Sequence, residues 1–283
     1  DERKRSELTV QRYEKSLKDF ETYFKEQNFD LSWKTVDTDV VRDWMEQLMD
    51  KGMKATSGCA DLSALRTFFR FALSRRLIEK DPAYGVVGPK KQKPLPQFVR
   101  ESDMDKLLDR DEWSDDYKDV RARTIILLLY ETGLRRAELV GLDDESIDWS
   151  ARQLKVTGKR NKQRIIPFGN ELAEELKHYL ELRNEKQPNR NTKALFVSEK
   201  GERLNGNHIY VLVRKYLSQV TTMKKRSPHV LRHSFATAML NHGAGLESVK
   251  LLLGHESLET TEIYTHTTFE QLKRVYKDAH PRG

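Results

Sequence analysis

The chain has 283 residues, 34% of them charged, with a formal net charge of +7 and a pI of about 9.2. That length favours two domains, each able to bury its own core, and the basic balance suits a partner that carries phosphates. A single cysteine, Cys59, excludes an intramolecular disulfide and a thiolate-rich zinc site and points to a reducing, cytoplasmic compartment, while no apolar run approaches the ~20 residues that cross a bilayer.

The opening Asp1-Glu2-Arg3-Lys4-Arg5 has no apolar segment behind it to act as a signal peptide. The first ninety residues read as helices. Leu8, Val10, Tyr13, Leu17, Phe20, Tyr23 and Phe24 mostly recur at spacings of three and four, the signature of one apolar stripe. Thr38 is positioned to cap a second helix carrying Val40, Val41, Trp44, Met45 and Leu48, which ends near Gly52. A third runs from about Thr56 to Arg75, with Leu62, Leu65, Phe68, Phe69 and Leu73 inward and Arg66 and Arg70 on another face.

Residues 86 to 97, with three prolines, a glycine and three lysines, read as an extended linker. Beyond it, Arg123 to Glu131 forms a strongly apolar helix that stops at Gly133. Two strand-like runs, Gln153 to Thr157 and Gln163 to Phe168, flank Gly158-Lys159-Arg160-Asn161-Lys162 and predict a hairpin with a basic turn. Helices follow around 170 to 186, 205 to 218, 228 to 242 and 246 to 253.

Charge is unevenly distributed. Residues 151 to 170 and 211 to 240 each hold six Lys or Arg and no acid, whereas residues 101 to 120 hold nine acids against three bases. The two basic windows are where summed potential can hold a polyanion.

Within and around them lie residues that can do chemistry. Ser227 or Pro228 starts a helix on which His229 and Arg232 share a face. His233, four from His229, raises a zinc reading, but Val230 stands where a metalloprotease pattern needs Glu. Arg135 emerges just past a helix end, able to present a planar fork to two phosphate oxygens; an ion pair with Glu138 on a surface turn is the structural alternative.

Tyr264 sits among small hydroxyl residues on a segment too polar to bury it. A phenol with a pKa of about 10 needs nearby positive charge to attack, and two arginines and two histidines supply it. Attack at phosphorus yields a phosphotyrosyl ester that stores the energy of the cleaved diester, and Lys159 is placed to protonate the expelled sugar oxygen.

The ordered set TGLRRAEL, GKRNK, HVLRH, LLGH and IYTH resembles the tyrosine recombinases, or phage integrases, and most closely their Xer-type and integron-like members. The resemblance spans nearly the whole chain. It implies catalytic roles for Arg135, Lys159, His229, Arg232, His255 and the nucleophile Tyr264. Arg136-Ala137 replaces the commoner apolar-Ser pair, and Arg160 replaces a frequent glycine, which leaves Lys162 as a second candidate for the acid.

The fold implied is mainly α with a small antiparallel β-sheet: a helical, SAM-like core-binding domain at 1–88, a linker at 89–100 and a catalytic domain at 101–283. The two domains would clamp duplex DNA without metal or nucleotide cofactor. Four protomers would exchange strands through a 3′-phosphotyrosyl intermediate and a Holliday junction, in chromosome-dimer resolution or in integration or excision of a mobile element. Candidates for phosphate contact are Arg66, Arg70, Lys90, Lys91, Arg160, Lys162, Lys224, Lys225 and Arg226. The tail residues Phe269, Leu272 and Tyr276 form a stripe expected to dock into a neighbouring protomer. A type IB topoisomerase and a DNA-binding regulator that has lost catalysis are the competing readings.

Overall fold

The computed structural model describes residues 7–28, 30–91, 97–158, 161–254 and 266–282, with 266–270 described as helix backbone only. The chain divides into two compact units, Asp1–Pro94 and Leu95–Gly283. No helix of the described residues is long and apolar enough to cross a membrane.

The first unit is built on α1 (Glu7–Gln27), α2 (Thr38–Asp50) and α3 (Ala55–Ser74). Its core is aromatic: Phe20 and Phe24 of α1, Trp44 of α2 and Phe69 of α3 are all buried. Ring centroids lie 5.0 Å apart for Phe20–Trp44 and 4.6 Å for Trp33–Phe68, within the range where tilted aromatic pairs attract.

Three details differ from the sequence reading. The cap of α2 is Asp37, one residue before Thr38, because its carboxylate reaches the Asp39 and Val40 N–H groups, each at 3.0 Å. Leu8 and Val10 are exposed, so the α1 stripe buries only its later turns. Leu73 is exposed too, since the buried row Gly58, Leu62, Leu65, Phe69, Ala72 leaves it at the edge.

The second unit comprises α4 (Glu101–Leu108), α5 (Tyr117–Thr132), α6 (Arg136–Val140), β1 (Ile147–Asp148), β2 (Gln153–Thr157), β3 (Gln163–Pro167), α7 (Asn170–Lys186), α8 (Gly206–Val220), α9 (Pro228–Asn241), α10 (Leu246–Leu253) and α11 (His266–Ala279). Every residue of α5 from Ala122 to Thr132 is buried, the behaviour of a helix that is apolar all round and sits at the centre of its domain. It packs against α7 and α9.

The sheet is antiparallel in the order β1-β2-β3, with Val156 opposite Arg164 and Thr157 opposite Gln163. Along β2 and β3 the inward positions are Leu154, Val156, Arg164 and Ile166, so an arginine occupies a core-facing place.

The tail departs from its expected role as a docking element. Leu272 and Tyr276 of α11 are buried in this chain's own core, beside α9 and α10, whereas the side chain of Phe269 lies outside the described residues. The reason is a waiting partner: the Tyr276 hydroxyl donates to Glu131 Oε2 at 3.2 Å, deep at the end of α5. His280 stacks on the Tyr276 ring at 5.1 Å.

Candidate active site

Two helices end in left-handed glycines that come together. α5 stops at Gly133 with φ +60°, and α10 stops at Gly254 with φ +66°, a conformation that side chains rarely adopt. At Gly133 there is also no room: a Cβ would stand 2.6 Å from Phe235 and 2.8 Å from Leu253.

A helix end leaves carbonyls without partners, and here guanidinium groups take them. Arg232 of α9 donates from Nη1 to the Gly133 carbonyl at 2.6 Å and from Nη2 to the Leu253 carbonyl at 2.7 Å, bridging the two ends. Arg135 donates from Nη2 to the Gly254 carbonyl at 3.0 Å. Arg164 of β3 donates from Nε to the Leu252 carbonyl at 2.9 Å.

Glu138 of α6 joins the cluster. Its two oxygens accept from Nη1 and Nη2 of Arg164, both at 2.8 Å, and from the backbone N–H and Nη1 of Arg135, both at 2.8 Å. Burial pushes this carboxyl up, but the hydrogen bonds and charge of Arg164, with those of Arg135, outweigh it and hold the pKa down at about 2. Three guanidinium groups against one carboxylate leave two positive charges in excess, a site made for an anion. Arg135 is the most open of the three, its side chain 37% exposed against 7% for Arg164.

Arg232 is 8% exposed, and its pKa falls to about 10, through burial first and then the charges of Arg135 and Arg164. It stays protonated at neutral pH. His229, one turn earlier on α9 behind Ser227 and Pro228, is exposed at the surface; partial desolvation, then the charges of Arg136, His233, Arg232 and Arg135, lower its pKa. Its imidazole is therefore neutral around pH 7. Among the described residues no group of three or more His, Cys, Asp or Glu is arranged to hold a metal ion.

The remaining candidates divide by location. Lys159, Arg160, His255 and Tyr264 lie outside the described residues. The flanks of the lysine turn are described: the Gly158 N–H donates to the Lys162 carbonyl at 2.7 Å, and a Cβ on Gly158 would stand 3.2 Å from Glu138 Oε1. The base of that turn thus abuts the arginine cluster. Lys162, Lys224 and Lys225 are exposed and Arg226 is half-buried; in the first unit Arg70, Lys90 and Lys91 are exposed, while Arg66 donates to the Val86 carbonyl.

Sequence reasoning placed Arg135 and Arg232 here and missed Arg164 and the depth of Glu138. One signal was available for Arg164: it alternates in phase with Ile166 on β3, which marks it as inward. A buried cation on a strand needs a partner, and its only route to one is across the fold.

Comparison with known proteins identifies the family and the fold. A model of the phage integrase family matches residues 97–271, and a model of the phage integrase N-terminal SAM-like domain matches residues 1–76. The tyrosine recombinase XerC of Chlorobaculum tepidum is 36% identical, over 98% of this chain and 90% of that protein. The tyrosine recombinase XerC of Escherichia coli O127:H6 is 37% identical, over 100% of this chain and 93% of that protein. Among solved structures, XerH recombinase in a post-cleavage complex with a palindromic difH substrate shares the fold with a TM-score of 0.74 and 24% identity, covering 94% of this chain and 78% of that one. The Tn1549 transposon integrase in complex with a circular intermediate DNA superposes with a TM-score of 0.73 at 19% identity, covering 96% of this chain and 95% of that one.

Proposed function

The chain belongs to the phage integrase family and is a tyrosine recombinase, a site-specific enzyme that cleaves and rejoins DNA, and from that premise we propose that Tyr264 is its nucleophile and Arg135 and Arg232 its phosphate clamp. Lys159, His229 and His255 complete the reacting set. The observation that carries this reading is the convergence of Arg135 and Arg232 on the carbonyls of Gly133, Leu253 and Gly254, directly before the segment that holds His255 and Tyr264.

The chemistry follows from the charges. The excess positive charge binds a DNA phosphate and withdraws electron density from phosphorus. The Tyr264 oxygen attacks, the bond to the 5′ oxygen breaks, and a 3′-phosphotyrosyl ester forms. Lys159 gives its proton to the departing oxygen; a neutral imidazole such as His229 accepts the phenolic proton. Ligation is the reverse, with an incoming 5′ hydroxyl displacing tyrosine. Four protomers working in pairs pass through a Holliday junction. Residues 1–88 are assigned to core-site binding and 101–283 to catalysis, joined by 89–100, in a cytoplasmic protein acting on the nucleoid. Chromosome-dimer resolution is the role that best fits the XerC relatives.

The test is covalent trapping. Fragments recovered in adducts are sequenced to define the site, and a duplex nicked beside the scissile phosphate is built on it. The trapped protein is then digested and its DNA-linked peptide mapped. Linkage at Tyr264 is the expected result; linkage at any other residue, or no adduct, ends the assignment.

A second prediction concerns phosphate contacts in the window 211 to 240. Replacing Lys224 and Lys225 with Gln together lowers the slope of log K against log salt by about 2, since each neutralised phosphate contributes about 0.9. An unchanged slope in a salt titration removes both lysines from the DNA interface.

A further inference from the structure

Arg164 is a buried arginine that neither the motifs nor the proposed chemistry uses, and its hydrogen bonds are unusually well distributed. The two terminal nitrogens grip both oxygens of Glu138, and Nε holds the Leu252 carbonyl in the last turn of α10. Gly254 packs on it so closely that an added Cβ would lie 3.1 Å from Arg164 Cδ. Six residues before it in the chain, Gly158 opens the lysine turn against the same Glu138 oxygen that Arg164 Nη1 contacts.

We propose that Arg164 is a positioning residue for strand cleavage: its fork locks Glu138, and through Glu138 the Arg135 guanidinium, in register with the end of α10 and with the base of the lysine turn. It touches no reacting atom. Three segments distant in sequence each deliver one part of the site, and a planar group with three donors in fixed directions is the piece that indexes them to one another. An ammonium at the same place reaches one oxygen at a time and leaves the α10 carbonyl or one Glu138 oxygen without its partner. The inference rests on the reading of Arg135 as a phosphate ligand.

The experiment compares Arg164→Lys, Arg164→Met, Glu138→Gln and the Glu138→Gln/Arg164→Met double variant in the full chain, on the nicked duplex defined above. Three quantities are read: equilibrium DNA binding, the single-turnover rate of adduct formation, and the melting temperature. Arg164→Met cleaves roughly 100-fold more slowly, and Arg164→Lys roughly 10-fold, with Kd for DNA within about threefold of wild type, the scale expected when a reacting group is misplaced by about an ångström. Because the residue acts through Glu138, the double variant loses no more rate than Glu138→Gln alone.

Arg164→Met leaves the buried Glu138 carboxylate to Arg135 alone, the double variant removes that carboxylate charge, and Arg164→Lys keeps a cation at the position, so the test does not depend on any one variant folding. Wild-type cleavage rates in Arg164→Lys and in whichever Met variant folds overturn the proposal, as do losses that multiply in the double variant. A parallel fall in rate, affinity and melting temperature assigns Arg164 to stability alone and overturns it too. Failure of the wild-type protein to form an adduct at Tyr264 is a separate result, and strikes the assignment of Arg135 instead.

Discussion

Arg232→Lys reduces the rate of DNA cleavage by about 10²–10³-fold, the cost of losing one well-placed donor to a charged transition state. The prediction comes from what Arg232 does before any DNA arrives. Its two terminal nitrogens bridge the carbonyls of Gly133 and Leu253, fixing the guanidinium plane between two helix ends. Lysine carries a point charge with no plane, and cannot span both carbonyls while facing a phosphate. It also begins from an ordinary pKa of about 10.4, lower than that of arginine, in a place where burial and the charges of Arg135 and Arg164 already lower Arg232. The variant therefore loses charge towards alkaline pH, and its residual rate falls from pH 7 to pH 9 more than that of the wild type. Single-turnover cleavage across that range measures both effects. A lysine variant within threefold of wild type would show that Arg232 serves the fold alone.

Glu131→Gln removes a pH dependence of stability worth a few kcal/mol between the ordinary carboxylate range and about pH 8. Glu131 is fully buried at the end of α5; Oε2 accepts from the Gly169 N–H and the Tyr276 hydroxyl, and Oε1 has no partner among the described residues. Burial, opposed only in part by the Gly169 bond, raises its pKa to about 8. The folded protein thus holds a proton that the unfolded chain releases near pH 4.5. The stabilisation is complete below that value and is lost as pH rises through about 8. His280 works in the other direction: burial drops its pKa to about 3, so its contribution is present above about 6.5 and is lost as pH falls towards 3. Urea unfolding at pH 5 and pH 8 tests the claim. The wild type loses stability between these two, whereas the Gln variant, left with the His280 contribution, gains stability and is the more stable protein at pH 8. The same pH slope in both proteins would place the proton elsewhere.

Much of this molecule was legible from local rules. The apolar run before Gly133, the hairpin around Gly158 to Lys162 and the proline-started helix at 228 each declare themselves within a few residues, because helix ends, turns and alternation are settled by neighbours along the chain. The site's two arginines were legible because each follows such a marker. Depth was less accessible. Glu138 looked like a surface partner of Arg135, three residues away, since nothing local reveals that Arg164 arrives from another segment to bury it. The tail erred for the same reason. An apolar stripe states that something will cover it, and only the three-dimensional placement of Glu131 and Gly169 identifies the cover as this chain's own α5 and its surroundings. Long-range pairing is the information that periodicity lacks.

The parity of β3 restricts how this enzyme can be re-engineered. Side chains alternate strictly along a strand, so sliding β3 by a single residue against β2 would present Ile165 to the Glu138 carboxylate and turn Arg164 outward to water. Loops grafted between Thr157 and Gln163 to alter DNA preference must absorb any change of length within themselves. Libraries that let the strand slip turn Ile166 out of the core together with Arg164, and lose fold and cleavage at once.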